Sequence, residues 1–184
     1  VNGGLESPIP LVGMAGSWYH MSKSFEACNL WLANRQWGLD VLDLRTSIVY
    51  GAGTPETSLD PRLATRFDFD FFFGVVLNRF CAMAMVGQPI TVYGKGEQKK
   101  PFISLDHCAE SCAAALDHAP EGGYAVFNQF TQTVSIQRMA YAVKEAAERC
   151  GVDVEINHIP NPRVEDETHQ MEMEHGGFLQ LLPD

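Results

Sequence analysis

The segment GSWYHMSKSFEACNLWLANRQWGLDVLDLRTSIVYG, residues 16–51, decides the fold. Ser17 stands where an N-cap hydroxyl is wanted and Gly38 where a helix stops, so the segment predicts a helix over 18–37. Trp18, Met21, Phe25, Cys28 and Leu32 fall on one stripe of that helix, and Leu30 and Trp31 widen it. The run that follows, LDVLDLRTSIVYG (39–51), is mostly apolar and ends in turn residues, which predicts a buried parallel strand. A helix feeding a buried strand is the repeating unit of an α/β protein.

The rest of the chain continues the alternation. A polar loop (52–68) leads to a helical run, FFFGVVLNRFCAMAMVG (71–87), closed by Gly87. PITVYG (89–94) and PFISL (101–105) read as short strands around the charged loop KGEQKK. Asp106 is the expected cap of an Ala- and Cys-rich helix running to about His118. YAVFNQF predicts a strand, Ser135 caps a helix over 136–150 closed by Gly151, and VDVEINHI predicts a last strand. The tail beyond Pro160 is polar. No repeat and no low-complexity tract interrupts this order.

Bulk properties narrow the partners. The 184 residues are 46% hydrophobic and 20% charged, as in folded globular chains. The formal net charge of -10 argues against a nucleic-acid binder, and no apolar run reaches the length of a membrane helix. Five scattered cysteines and no secretory leader pattern lead to the expectation of reduced thiols in a cytoplasmic protein. His158, His169 and His175 are too irregularly spaced for a metal set, so no metal is expected. The start at Val1 in a loop-like segment suggests a chain cut from something longer.

Tyr19 and Lys23 lie four residues apart, on one face of the predicted helix. A phenol titrates near pH 10, and an ammonium one turn away favours the phenolate. Such a tyrosine can remove or return a proton on a substrate alcohol or carbonyl, the proton transfer that accompanies hydride transfer. A pair at this spacing also arises in ordinary helices, so context must decide its meaning.

That context is a tyrosine–lysine helix running into a strand that ends in SIVYG, and this order resembles the extended, nucleotide-sugar-modifying branch of the short-chain dehydrogenase/reductase superfamily. SWYHMSK, IVYG, LNRFCAMAMVGQPITVYGKGEQ, VFNQFT and IPNPRVEDETH narrow the resemblance to the UDP-sulfoquinovose synthase family within that branch. The resemblance spans Ser17 to about His175. It implies a partial Rossmann-like parallel sheet joined to a smaller α/β region that binds a sugar nucleotide. The implied division is a loop remnant over 1–16, the C-terminal part of the NAD-binding fold over 17–88 and the substrate region over 89–184.

The resemblance also implies roles. NAD would be the cofactor, and a UDP-glucose-type sugar nucleotide and sulfite the substrates. Tyr19 would be the base and acid at the sugar C4 oxygen, with Lys23 assisting and holding the cofactor ribose. His20 would help move protons at the sugar, the alternative being a polar contact on the helix surface. Val49 would meet the nicotinamide amide through its backbone. Thr46 stands where the family usually has a glutamine touching the sugar, a departure in this chain. Asn78 and Arg79 would meet the diphosphate or sugar, although an Asn–Arg pair also suits a solvated helix face. Thr91 and Tyr93 would lie beside the base and Gln98 near the ribose. Lys100 replaces a usual arginine, keeping the charge and losing the planar fork. Arg163 would clamp the diphosphate, unless it pairs with Glu165 or Glu167.

The Gly-rich βαβ unit that cradles a dinucleotide pyrophosphate is not found in this sequence; YGKGEQ lacks the third glycine and the following helix. Three expectations follow: one piece of an NAD-dependent enzyme, inactive without its other half; a non-catalytic module that binds a sugar nucleotide or self-associates; or a 4-epimerase or 4,6-dehydratase of the same branch. A homo-oligomer is expected as well, because half a parallel sheet leaves an apolar edge.

Overall fold

The computed structural model describes residues 17–68, 74–118, 121–162 and 173–180. In chain order the elements are α1 (Trp18–Trp37), β1 (Val41–Thr46), β2 (Ile48–Tyr50), α2 (Val76–Met85), β3 (Ile90–Tyr93), β4 (Lys99–Ser104), α3 (Leu105–Ala115), β5 (Tyr124–Gln129), β6 (Gln132–Ser135), α4 (Ile136–Arg149), β7 (Ile156–Ile159) and α5 (Gly176–Leu179). Two short 3-10 turns, Glu56–Ser58 and Pro61–Leu63, shape the loop after β2. The class is α/β, as the alternation requires.

The run over 39–51 is two strands rather than one. β1 pairs in parallel with β5, whereas β2 pairs in parallel with β4. The switch falls at Ser47, whose N–H still donates to Gln129 O at 3.1 Å. Both pairings cross residue 88, where the expected division between regions lies. β6 runs antiparallel to β4 and completes a β2–β4–β6 sheet, although QTVS is too short and polar to predict a strand from its pattern. β3 and β7 form a third, parallel pair.

Local chemistry sets the helix ends. Ser17 accepts a hydrogen bond from His20 N–H at 3.2 Å, and Gly38 adopts φ 64°, the left-handed conformation that closes α1. Ser135 caps α4 as expected. For α3 the cap is Ser104, not Asp106: the Ser104 hydroxyl reaches His107 N–H at 3.2 Å, and Asp106 sits inside the first turn, where a carboxylate suits the helix dipole. α2 begins at Val76, later than the expected run over 71–87, since Val75 is extended; residues 71–73 of that run lie outside the described residues.

Two cores hold these elements. The larger joins Phe80 and Ala84 of α2, Ile90 and Val92 of β3, Phe102 of β4 and Ile136, Met139, Ala140 and Val143 of α4. The smaller joins Ile103 and Phe178, with Leu44, Val49, Cys108 and Phe127 packed on them. Phe178 thus brings the C-terminal turn back onto the sheet, helped by Asn128 Nδ2 donating to Glu174 O at 2.9 Å.

Candidate active site

Tyr19, His20 and Lys23 occupy the first turns of α1, fixed by the Ser17 cap. Tyr19 is 67% exposed, and its ring meets His20 edge-on at 5.5 Å between centroids. Lys23 Nζ lies 5.7 Å from the centre of the Tyr19 ring. Both oxygens of Glu26 accept from that ammonium, at 3.0 and 3.3 Å. This hydrogen bond, then the Glu26 charge, raise the Lys23 pKa above the ordinary lysine value. The other end of α1 is anchored by Asn34, whose Nδ2 donates to Leu39 O at 2.7 Å and Gly123 O at 2.9 Å.

Val49 packs its side chain into the smaller core. Its strand is the edge of the β2–β4–β6 sheet, so one side of its backbone faces away from β4. Thr46 lies at the end of β1, and its hydroxyl donates to Gln129 Oε1 at 2.5 Å. Gln129 is wholly buried, and its Nε2 donates to Ser111 Oγ at 2.8 Å. The Ser111 hydroxyl in turn donates to His107 O at 2.6 Å. This network ties β1, β5 and α3 together. Thr46 is a residue the sequence predicts for the site; Gln129 and Ser111 are not, although a glutamine within the apolar run YAVFNQF is the sign of a buried polar group.

A second group gathers around α2 and β3. The Arg79 guanidinium stacks on the Tyr93 ring at 4.5 Å and on Phe80 at 5.0 Å. Asn78 is buried and donates to Asp68 O at 3.2 Å. Thr91 Oγ1 donates to Pro89 O at 3.3 Å. Gln98 is buried, with Oε1 lacking a hydrogen-bond partner among the described residues. Lys100 sits on β4 opposite Val134. Arg163 lies outside the described residues. The structure therefore brings Arg79 to Tyr93 directly and sets Tyr19, His20 and Lys23 together on α1.

Whether these residues fit NAD divides in two. An exposed tyrosine and lysine one turn apart suit the nicotinamide-ribose end of a dinucleotide. The Gly94–Gly96 turn does not suit its pyrophosphate. Gly96 O accepts from Gln137 N–H at 2.9 Å and Gln98 O from Ile136 N–H at 3.3 Å, so this turn covers the N-terminus of α4. A Cβ on Gly96, at φ 72°, would meet Val92 Cγ1 at 2.7 Å. Among the described residues no group of three or more His, Cys, Asp or Glu could hold a metal. No described helix is long and apolar enough to cross a membrane.

Comparison with known proteins agrees with this architecture. The chain is 38% identical over 179 residues to UDP-sulfoquinovose synthase, chloroplastic, of Spinacia oleracea, covering 97% of the chain and 37% of that protein. It is 41% identical over 167 residues to UDP-sulfoquinovose synthase of Sulfolobus acidocaldarius, covering 90% of the chain and 42% of that protein. The chain thus spans less than half the length of these relatives. Among solved structures, the Thermus thermophilus UDP-glucose 4-epimerase complex with NAD shares the fold at TM-score 0.62 and 23% identity, over 91% of this chain and 49% of that one. The sequence model of the NAD dependent epimerase/dehydratase family matches residues 9–128. With the tyrosine–lysine helix, the parallel strands after it and this match over most of its length, the chain belongs to the NAD dependent epimerase/dehydratase family.

Proposed function

We propose that this chain is the catalytic-helix and sugar-nucleotide part of an NAD-dependent enzyme that converts UDP-glucose and sulfite to UDP-sulfoquinovose and water. What supports the reading is the similarity to the two UDP-sulfoquinovose synthases, together with the capped first turn of α1, which presents Tyr19 and Lys23 together toward solvent. The chemistry that NAD supplies when bound is reversible oxidation at the sugar C4. Tyr19 takes the C4 hydroxyl proton and later returns it. Lys23 lends positive charge to the phenolate and holds the ribose hydroxyls. A ketone at C4 acidifies C5, so water can leave across C5 and C6 before sulfite adds at C6; His20 handles protons on that side of the sugar. Val49 offers its outer backbone edge to the carboxamide. Asn78, Arg79, Tyr93, Thr91, Gln98, Lys100 and Arg163 serve the UDP moiety. We place the protein in the cytoplasm, where its five free cysteines stay reduced.

The same reading includes self-association. Trp18, Phe25 and Leu32, spaced seven residues apart on α1, are 91%, 56% and 47% exposed, an apolar stripe suited to a second copy. Light scattering is expected to show an oligomer, and a monodisperse monomer counts against it.

The functional test combines this chain with a separately produced segment of the Sulfolobus acidocaldarius relative, the part this chain does not span, NAD and UDP-glucose, with and without sulfite. Mass spectrometry is expected to find UDP-sulfoquinovose only with sulfite, and none with Tyr19→Phe. Epimerised UDP-sugar regardless of sulfite would replace this reading with a 4-epimerase.

A further inference from the structure

We propose that Ser17 is a positioning residue that sets the tautomer of His20, so that His20 offers Nε2–H to a ligand as a hydrogen-bond donor. The inference rests on the reading of the α1 first turn as the chemical end of the molecule. It starts from one oxygen with two neighbours. Ser17 Oγ is 3.2 Å from His20 N and 2.8 Å from His20 Nδ1. As the N-cap it accepts from the His20 amide, which uses one lone pair. Its own proton remains to be given, and Nδ1 is the ring acceptor within reach. An imidazole whose Nδ1 accepts carries its proton on Nε2.

The neighbours hold this arrangement. The Tyr19 ring meets His20 edge-on at 71° between planes, which restrains its orientation. The nearby charges, Lys23 and Glu26, are paired with each other. Nδ1 is turned to the cap, so Nε2 is the nitrogen left for a ligand. A donor at that place reads a lone pair on a sugar oxygen or an oxyanion, and is the wrong partner for a hydroxyl proton. The serine two residues before the tyrosine thus has a chemical duty besides starting the helix.

The test separates the two duties. Ser17→Thr keeps a hydroxyl. Ser17→Asp keeps a strong cap but presents only acceptors, so it favours the proton on Nδ1. The chain is labelled with ¹⁵N-histidine, and ring nitrogens are read by long-range ¹H–¹⁵N NMR at a pH where the ring is neutral, His20 being assigned by its loss in His20→Gln. The wild type and Ser17→Thr are expected to favour Nε2–H, by about fivefold for one net hydrogen bond. Ser17→Asp is expected to reverse the preference while circular dichroism shows the helix content unchanged. A wild-type ring with its proton on Nδ1, or one preference in all three proteins, overturns the proposal. The tautomer is read without substrate, so an inactive reconstituted enzyme would count against the proposed function and leave this result standing.

Discussion

At the scale of single residues, Lys23 is shared between two uses. Its ammonium sits over the Tyr19 ring but is bonded to both oxygens of Glu26. The Glu26 hydrogen bond is the first cause of its raised pKa. Glu26→Gln is therefore expected to lower the Lys23 pKa, measured by NMR titration of the ¹³C-methylated amine; an unmoved titration would show the pair to be inconsequential. Tyr124 gives a second residue-scale prediction. Burial first, then its hydrogen bond to Asp43 at 3.0 Å, push its pKa up to about 12. A phenol raised above its unfolded value of about 10 favours the fold fully below pH 10 and loses that contribution as pH rises toward 12. Denaturant unfolding should show stability falling across that window in the wild type and falling less in Tyr124→Phe. The sequence made Tyr19, Lys23 and the Ser17 cap legible because each acts through neighbours three or four residues away. Gln129 and Tyr124 were not legible, since their partners Ser111, Thr46 and Asp43 come from elements distant in the chain.

At the scale of elements, periodicity and capping read the helices and short strands, and misread what depends on a choice of partner. The 39–51 run has one hydrophobic pattern but two pairing partners, and only tertiary structure decides that β1 takes β5 while β2 takes β4. β6 went unread because QTVS is short and half polar, and its pairing with β4 supplies its order. The Gly94–Gly96 turn shows the same dependence in a testable form. Gly38 and Gly96 both adopt left-handed backbone, at φ 64° and 72°, but a Cβ meets nothing within 4 Å at Gly38 and meets Val92 and Gln137 at Gly96. Gly38→Ala is expected to cost about 1 kcal/mol, the conformational penalty alone. Gly96→Ala adds a clash with the start of α4, for roughly 1–3 kcal/mol in all. Thermal unfolding of both variants checks this, and equal losses would deny Gly96 its packing role.

At the scale of the whole molecule, the proposed chemistry sits on the most weakly buried long helix among the described residues. α4 buries Ile136, Met139, Ala140 and Val143 in the larger core, whereas none of the twenty residues of α1 is fully buried. α1 is held by partial contacts on β1 and by Asn34 at its far end, with Tyr19, His20 and Lys23 at the opposite, outward end. Low local burial means low local stability, so this helix is expected to open more easily than α4. Hydrogen exchange on the isolated chain is expected to show α1 amides exchanging well ahead of those in α4. Binding that covers the Trp18, Phe25 and Leu32 stripe, by a second copy or by the segment used for reconstitution, should slow α1 selectively, because a partner that binds only the ordered helix stabilises it by mass action. Equal protection of α1 and α4 in a chain shown to be monomeric would mean that α1 is already complete without a partner.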